Sequence, residues 1–411
     1  MKWARWSIGY IPKEVAFGIL SALLPIYLIE NINGNLLDFG LIFFIKSFVQ
    51  IPAVLFWARL INKTGRCKIF ITISFLVSSL AIFLFPFSKS TWSFLLLNVL
   101  LSIFYVAHMP ATRILISESS PNSEWDEGFA NYKLILGVGG TVGLLLGALC
   151  VQQLENVGLM LICGVLVIAS LIFSSLMIYD PHLMIERKIV SFERFVYLAE
   201  QAYHLAYAPT SYARLRARES YFSRYPNPKS LILGIFLFPL AFTMVFTSIP
   251  FFLFQRVGVS SSLIFSLLLI NSTTVLIGYA LLRKNKERNN LKLVKVASIL
   301  CTFFPTLFLA SGFLQFSQSI ILCSLAIAMA GFAWSNFSVS STVLWMETAR
   351  KKAAGMYNAI STLGTALGSL MAGLISSNCG YEYLLVISAI AFLIAFLFFS
   401  YSHSRHRNNY I

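Results

Sequence analysis

Twelve apolar blocks divide this sequence, each close to the roughly twenty residues that cross a bilayer as a helix. They run 14–32, 37–60, 69–87, 92–116, 128–152, 156–179, 230–254, 260–282, 293–313, 318–346, 353–376 and 381–401. Such blocks leave little choice of fold. In lipid, backbone N–H and C=O groups must be satisfied within the protein, which admits helices or a closed barrel. The blocks are too long for barrel strands and lack their alternating ten-residue pattern. The expectation is an all-α membrane protein with twelve transmembrane helices. Only 11% of residues are charged and the mean hydropathy is +0.78, whereas a soluble domain carries about 25% charged residues. In water, so apolar a surface would aggregate. The first block reads as a membrane helix and not a cleaved signal. No small-residue cleavage site follows it, and Glu30 and Asp38 lead straight into the second block.

The net charge of +15 is explained by position. Twenty-six of the 31 bases fall at the N-terminus, in alternate gaps between blocks, or in the C-terminal tail. Lys2, Arg5 and Lys13 precede or open the first block, and Arg59, Lys63, Arg66 and Lys68 flank the second gap. The other gaps hold only Lys89 and Arg256, and Lys46, Arg113 and Lys133 lie within or at the ends of blocks. Basic loops remain on the cytoplasmic side. Both termini are therefore expected in the cytoplasm, in the plasma membrane, with lipid as the surrounding partner. No nucleic-acid motif accompanies the charge, so no nucleic-acid partner is expected.

The chain also repeats. "GFANYKLILG" (128–137) and "GMYNAISTLG" (355–364) share G-x-x-N-x-x-x-x-L-G at an offset of 227 residues. This pairs Gly128 with Gly355 and Asn131 with Asn358. Just upstream, Glu118 and Glu347 are offset by 229 residues. Two pseudo-symmetric six-helix halves are expected, 1–180 and 229–411, joined by a cytoplasmic linker, 181–228. Within the linker, 192–208 has apolar residues at helical spacing. It reads either as a helix lying on the membrane surface or as a partly ordered connection.

Twelve spans, two halves, both ends inside and a long central loop resemble the major facilitator superfamily. That family's loop between spans two and three reads close to G-x-x-x-D-R-x-G-R-R-K. In "ARLINKTGRCKIF" (58–70), Gly65, Arg66 and Lys68 match; Ala58, Asn62 and Lys63 replace the Gly, Asp and Arg. The span four–five region and "KKAAGMYNAISTLGTALGSLMAGLIS" (351–376) are also similar to the family. The resemblance covers essentially the whole chain. It implies a secondary transporter whose halves rock about a central cavity. The family's acid in the first loop pairs across helices and helps hold the outward-facing form. Asn62 stands at that position, so Glu118 is expected to supply the acid. Family antiporters often carry Gly-Pro in span five, where this chain has Gly143-Leu144.

Ionisable groups inside spans are costly and are functional candidates by default. Lys46 lies about ten residues into the second block, near mid-depth at ~1.5 Å per residue. It can bind an anionic substrate or exchange a proton; the plainer readings are snorkelling or pairing with Asp38. His108 and Arg113, at i and i+5, lie about 140° apart on a helix. His108 reads as a titrating group or a structural hydrogen-bonding one, and Arg113 as a latch to Glu118 or Glu14. Glu14 is itself a candidate proton carrier, and Lys133 an interfacial base. Gln50, Asn98, Asn271, Trp334, Asn336 and Asn358 are cavity-lining or packing candidates. Gly137, Gly140, Gly143 and Gly147, with Gly364, Gly368 and Gly373, form small-residue stripes for close helix approach.

The six cysteines are scattered without metal or redox spacing and read as buried small apolar residues. A disulfide between Cys150 and Cys379 is a further expectation. No phosphate loop, metal-spaced cluster or nucleophile elbow occurs. The chain is therefore read as a non-enzyme without cofactor. It is expected to be a monomer that moves a small solute, driven by the solute's own gradient or by H+ or another coupling ion. Two other readings are proton-coupled efflux of hydrophobic compounds and a non-transporting sensor or scaffold on a transporter fold.

Overall fold

A computed structural model describes residues 5–119, 125–180, 228–284, 289–349 and 354–402. Among these there is no strand. A 3-10 turn, Arg5–Tyr10, leads into α1 (Ile11–Glu30), α2 (Leu36–Thr64), α3 (Cys67–Leu84), α4 (Thr91–Tyr105), α5 (His108–Ser119) and α6 (Trp125–Met177). There follow α7 (Pro228–Phe252), α8 (Ser261–Lys284), α9 (Asn290–Ser311), α10 (Phe316–Ala349), α11 (Ala354–Cys379) and α12 (Tyr381–Tyr401). Eleven of the described helical runs are long and apolar enough to cross a membrane, and one of them spans 44 residues. The chain is an integral multi-pass membrane protein. The 192–208 reading lies outside the described residues.

The 44-residue run, within α6, is two crossings. At ~1.5 Å per residue it is about 66 Å long, against roughly 30 Å of hydrocarbon. Glu155 breaks it with φ 52° and ψ 171°. The neighbours on α1 show the reversal. Gly139 lies against Glu14, while the Lys13 N–H donates to Ser170 Oγ at 2.7 Å. Residues 139 and 170 sit at one level because the chain turns back between them. The count is thus twelve crossings, in two six-helix halves.

The fourth crossing is interrupted between α4 and α5, and Pro110 gives the reason. A proline cannot donate to the carbonyl four residues back, and its ring clashes there; that carbonyl belongs to Val106. The Met109 N–H bonds Val106 O at 3.2 Å instead. The Tyr105 carbonyl, four residues before Met109, thereby loses its regular partner and is left for side chains.

Glycines set the tightest helix contacts. A Cβ on Gly18 would overlap the Gly140 carbonyl, and one on Gly143 would overlap the Val15 carbonyl. The second half repeats this, with Gly364 against Phe236 O and Gly368 against Leu240 O. Helices α1 and α6 pack as α7 and α11 do.

The halves meet through a crossed exchange. Helix α2 packs on α11, where Gly40 faces Ser369 and Gly373. The first crossing of α6 packs on α8. There Thr141 Oγ1 and Ser272 Oγ lie 2.7 Å apart, and Ser262 Oγ donates to Ala148 O at 2.9 Å. Crossing two against eleven and crossing five against eight are equivalents under exchange of the halves.

All six cysteines are free; Cys150 is partly buried and Cys379 exposed. The disulfide expectation is therefore corrected. Cys67, Cys163, Cys301 and Cys323 are buried.

The packing yields a paired prediction. Gly143→Val should destabilise the protein by about 1–3 kcal/mol or more, the cost of overpacking. Gly140→Ala should be tolerated, because nothing lies within 4 Å of the added Cβ. Thermal unfolding in detergent, followed by retention as a monodisperse species, checks both.

Candidate functional site

Three places in the bundle bring chemistry-bearing residues together. The first lies inside the first half. Lys13 was expected among the cytoplasmic bases that precede the first block, but the structure buries its side chain to 1% exposure. The cause is local: the 3-10 turn before α1 starts the helical path at Arg5, so Lys13 is already packed within the bundle. Its Nζ lies 2.8 Å from Glu14 Oε1 and 3.0 Å from His108 Nε2. Four rings surround it, with centroids 4.9 Å (Tyr105), 5.3 Å (Tyr10 and Phe75) and 5.8 Å (Phe17) away. A desolvated cation over an aromatic face is stabilised by up to ~2 kcal/mol or more. Several such faces offset the loss of hydration that an unpaired buried ammonium would suffer.

His108 is held by the interrupted helix. Its Nδ1 bonds the Tyr105 carbonyl, the group released by Pro110. Ser74 Oγ donates to the same carbonyl at 3.2 Å. A carbonyl can only accept, so Nδ1 carries the hydrogen. In the neutral ring Nε2 then offers a lone pair, and it faces the Lys13 ammonium. Glu14 keeps 12% exposure. Its Oε1 is buried and has the Lys13 ammonium as its close partner at 2.8 Å. Glu14 therefore pairs with Lys13 and not with Arg113, which is exposed.

The second place is one face of α2. Phe39, Phe43, Lys46 and Gln50 fall within about 60° of one another on the helix. Phe39 packs on Phe251 of α7 with centroids 5.5 Å apart, so this face is turned toward the second half. Lys46 and Gln50 lie further along it, both half-buried. Lys46 Nζ sits 4.8 Å from the Phe43 ring centroid. Its expected partner Asp38 is engaged elsewhere. Asp38 Oδ2 accepts from Asn35 N at 3.0 Å while Asp38 N donates to Asn35 Oδ1 at 2.9 Å, a reciprocal cap on α2.

The third place is the far end of the bundle, where α1 finishes. Glu30 Oε2 accepts from Asn156 Nδ2 at 2.7 Å, and Oε1 accepts from Ser261 Oγ at 2.6 Å. One carboxylate thus joins the turn of α6 to the start of α8, across the two halves. It borders a cleft of about 410 Å³ that also includes Gln152, Glu155 and Ser262.

The sequence profile of the Major Facilitator Superfamily matches residues 7–354. The chain belongs to that superfamily. It is 30% identical over 141 residues to an uncharacterised MFS-type transporter, YhjO, of Bacillus subtilis (strain 168). That match covers 34% of this chain and 35% of YhjO, about a third of the relative's length. Two solved structures share the fold. One is a bacterial homologue of the human lysosomal transporter Spinster, inward-facing and unoccupied: TM-score 0.68, 15% identity, covering 97% of this chain and 95% of that one. The other is a POT family transporter in complex with 5-aminolevulinic acid: TM-score 0.71, 11% identity, with coverages of 97% and 95%. Membership makes solute transport, rather than catalysis, the activity to propose for the chain.

The superfamily loop of the first half is well defined at its backbone. Gly65 ends α2 in the left-handed region at φ 73°, which a residue without Cβ adopts freely. Lys63 and Arg66 are exposed. The Lys68 N–H, in the first turn of α3, donates to Asp180 Oδ1 at 2.8 Å, and Lys68 Nζ lies 5.9 Å from the Tyr179 ring. Among the described residues, the acid that the structure brings to this loop is Asp180. The side chains of Asn62, Glu118, Asn131, Lys133 and Glu347 lie outside the described residues, as do those of Gly128 and Gly355.

The neutral candidates take ordinary packing contacts. Asn271 Nδ2 donates to Ile327 O at 3.2 Å, joining α8 to α10. Asn98 and Asn336 each donate to a carbonyl of their own helix, Phe94 O and Phe332 O. Trp334 is half-buried on Phe242, with centroids 4.5 Å apart. Asn358 is exposed.

The grouping of Lys13 with His108 was missed in the sequence. Pro110 beside His108, and the aromatic residues flanking Lys13 at Trp6, Tyr10 and Phe17, were the available signals.

Asp180 supports a prediction. Asp180→Ala should cost about 0.5–2 kcal/mol, the usual loss of a helix cap. Asp180→Asn should retain most of it, because an amide oxygen still accepts. Unfolding midpoints in matched detergent distinguish them.

Proposed function

We propose that this protein carries a small acidic solute by alternating access, through a path between its two halves. The boundaries are those of the repeat: 1–180, a linker over 181–228, and 229–411. The crossed packing of α2 on α11 and of α6 on α8 carries the reading. Because the two contacts are equivalents under exchange of halves, the halves can rock about them as a pair. The alternating basic loops support a cytoplasmic position for both termini. On that orientation, the Glu30 bridge closes the outer end and the solute path opens inward.

Closure of this kind has to be reversible. Glu30 is exposed, so solvent weakens each of its hydrogen bonds below the ~1.5–3 kcal/mol typical of a charged acceptor. Swinging a two-state equilibrium from one side to the other takes ~5.5 kcal/mol. The bridge therefore biases the outer end toward closure without locking it.

The solute class follows from Lys46. Among the described residues it has no carboxylate at ion-pair distance, and it lies on the α2 face that looks toward the second half. An unpaired cation there favours an anionic group, and Gln50 one turn further adds hydrogen-bonding capacity. Trp334 supplies an aromatic surface in the second half. A panel of small carboxylates and phosphates is the natural first choice.

Uptake into proteoliposomes tests the proposal. A compound from the panel should be transported, and Lys46→Ala should lose most of that uptake. If Lys46→Ala transports normally, the acidic-solute assignment fails. If no compound is moved by correctly folded protein, the transport path as drawn fails. A second prediction concerns the rocking contact. The hydroxyls of Thr141 and Ser272 are 2.7 Å apart, so a Thr141→Cys/Ser272→Cys protein should form a disulfide on mild oxidation. Transport should stop and return with a reductant, while each single substitution stays active.

A further inference from the structure

The far corner of each half is built on the same repeat. At an offset of 225 residues, Glu30 corresponds to Gln255, Glu155 to Gly380 and Asn156 to Tyr381. Glu155 has φ 52° and ψ 171°, and Gly380 has φ 94° and ψ 170°. Glu30 accepts from Asn156 in the first half, and Gln255 Oε1 accepts from the Tyr381 hydroxyl at 2.8 Å in the second. The first corner is tied across to Ser261 of the other half. The second instead borders a cleft of about 320 Å³, lined by residues of its own half alone. We propose that this cleft binds the headgroup of a zwitterionic phospholipid from the surrounding bilayer, with the phosphate on Arg256 and the ammonium on Glu382.

The position fits a headgroup. The cleft lies where α7 and α9 end and where α11 turns into α12. These are the ends of membrane crossings, so the cleft sits at the boundary of the hydrocarbon layer. Tyr383 beside it is exposed, and tyrosines are enriched at that level. Helices α9 and α12 pack on each other, and Phe303, Ile390, Leu393 and Leu397 on them are exposed. Such rows face lipid, so the cleft opens beside the bilayer and not onto the path between the halves.

The lining fits as well. Phe252, Leu309, Phe313 and Leu385 supply apolar walls, and Phe252 meets Tyr381 edge-on with centroids 5.9 Å apart. A π turn, Leu253–Val257, ends α7 and brings Arg256 to the α11–α12 turn. Arg256 Nη2 lies 3.5 Å from Glu382 Oε1, and both side chains are more than half exposed. So loose and solvated a pair contributes little to stability, which leaves both charges available to a ligand. A guanidinium matches a phosphate through paired hydrogen bonds, and a primary ammonium would satisfy the carboxylate. A lipid with phosphate and no ammonium would bring a like charge toward Glu382. The pair is neutral overall, as the zwitterion is.

Cys379 lines this cleft and is the exposed one of the six cysteines, so it reports occupancy. Full-length protein carrying Cys150→Ala is placed in nanodiscs of phosphatidylglycerol with rising fractions of phosphatidylethanolamine. Cys379 is then labelled with an uncharged maleimide. Labelling should slow saturably, to about one-tenth of its rate where the lipid fills about nine sites in ten. Arg256→Gln and Glu382→Gln should each remove the dependence on phosphatidylethanolamine. Lys89→Gln, at the exposed base between α3 and α4, should retain it. Each protein is compared with itself across disc compositions, so a change in the intrinsic reactivity of the thiol cancels. Labelling that ignores the phosphatidylethanolamine fraction, or a dependence that survives both substitutions, would overturn the site. Protection by soluble phosphoethanolamine equal to that by the lipid would overturn the bilayer lipid as the occupant. None of these outcomes depends on whether a solute is transported.

Discussion

Two glycines, Gly18 and Gly143, let α1 and α6 meet backbone to backbone, and much of the first half depends on that approach. With the backbones of Gly18, Gly140, Val15 and Gly143 in contact, the start of α1 is drawn into the bundle. Lys13 and Glu14 are carried to the level of His108 and Ser170. In lipid there is little hydrophobic force between helices, so packing of this kind takes over the role that apolar burial plays in water. The second half uses Gly364 and Gly368 for the same purpose against α7.

Pro110 works at a different scale. By removing one backbone donor it changes who bonds to the Tyr105 carbonyl, and that carbonyl fixes the ring of His108. The tautomer of His108, the orientation of its lone pair and the position of the Lys13 ammonium follow in sequence. A backbone defect in a membrane helix is tolerated because side chains such as Ser74 and His108 satisfy the freed group.

The fold was readable because lipid imposes a strict length on each crossing. All twelve blocks correspond to helical crossings, including 128–152 and 156–179 on either side of the break at Glu155. Of the repeat's paired glycines, Gly364 faces the Phe236 carbonyl and Gly137 the Leu276 side chain. Side-chain partnerships were harder to read. Lys13 looked interfacial, because a base near the start of the first block fits the charge asymmetry equally well whether it is solvated or buried. Asp38 and Lys46, about two turns apart, looked like a pair. The short-range competition for Asp38 by the Asn35 backbone decided otherwise. Asp180 could not be assigned to α3 from spacing at all, since 112 residues separate it from Lys68.

That last contact gives the connection between the halves a mechanical meaning. Asp180 holds the first turn of α3, and the next residue of the chain begins the long segment that leads to the second half. The residue just before that segment is anchored on the loop between the second and third crossings. The end of the first half is thereby tied to the start of a membrane helix 112 residues earlier in the chain.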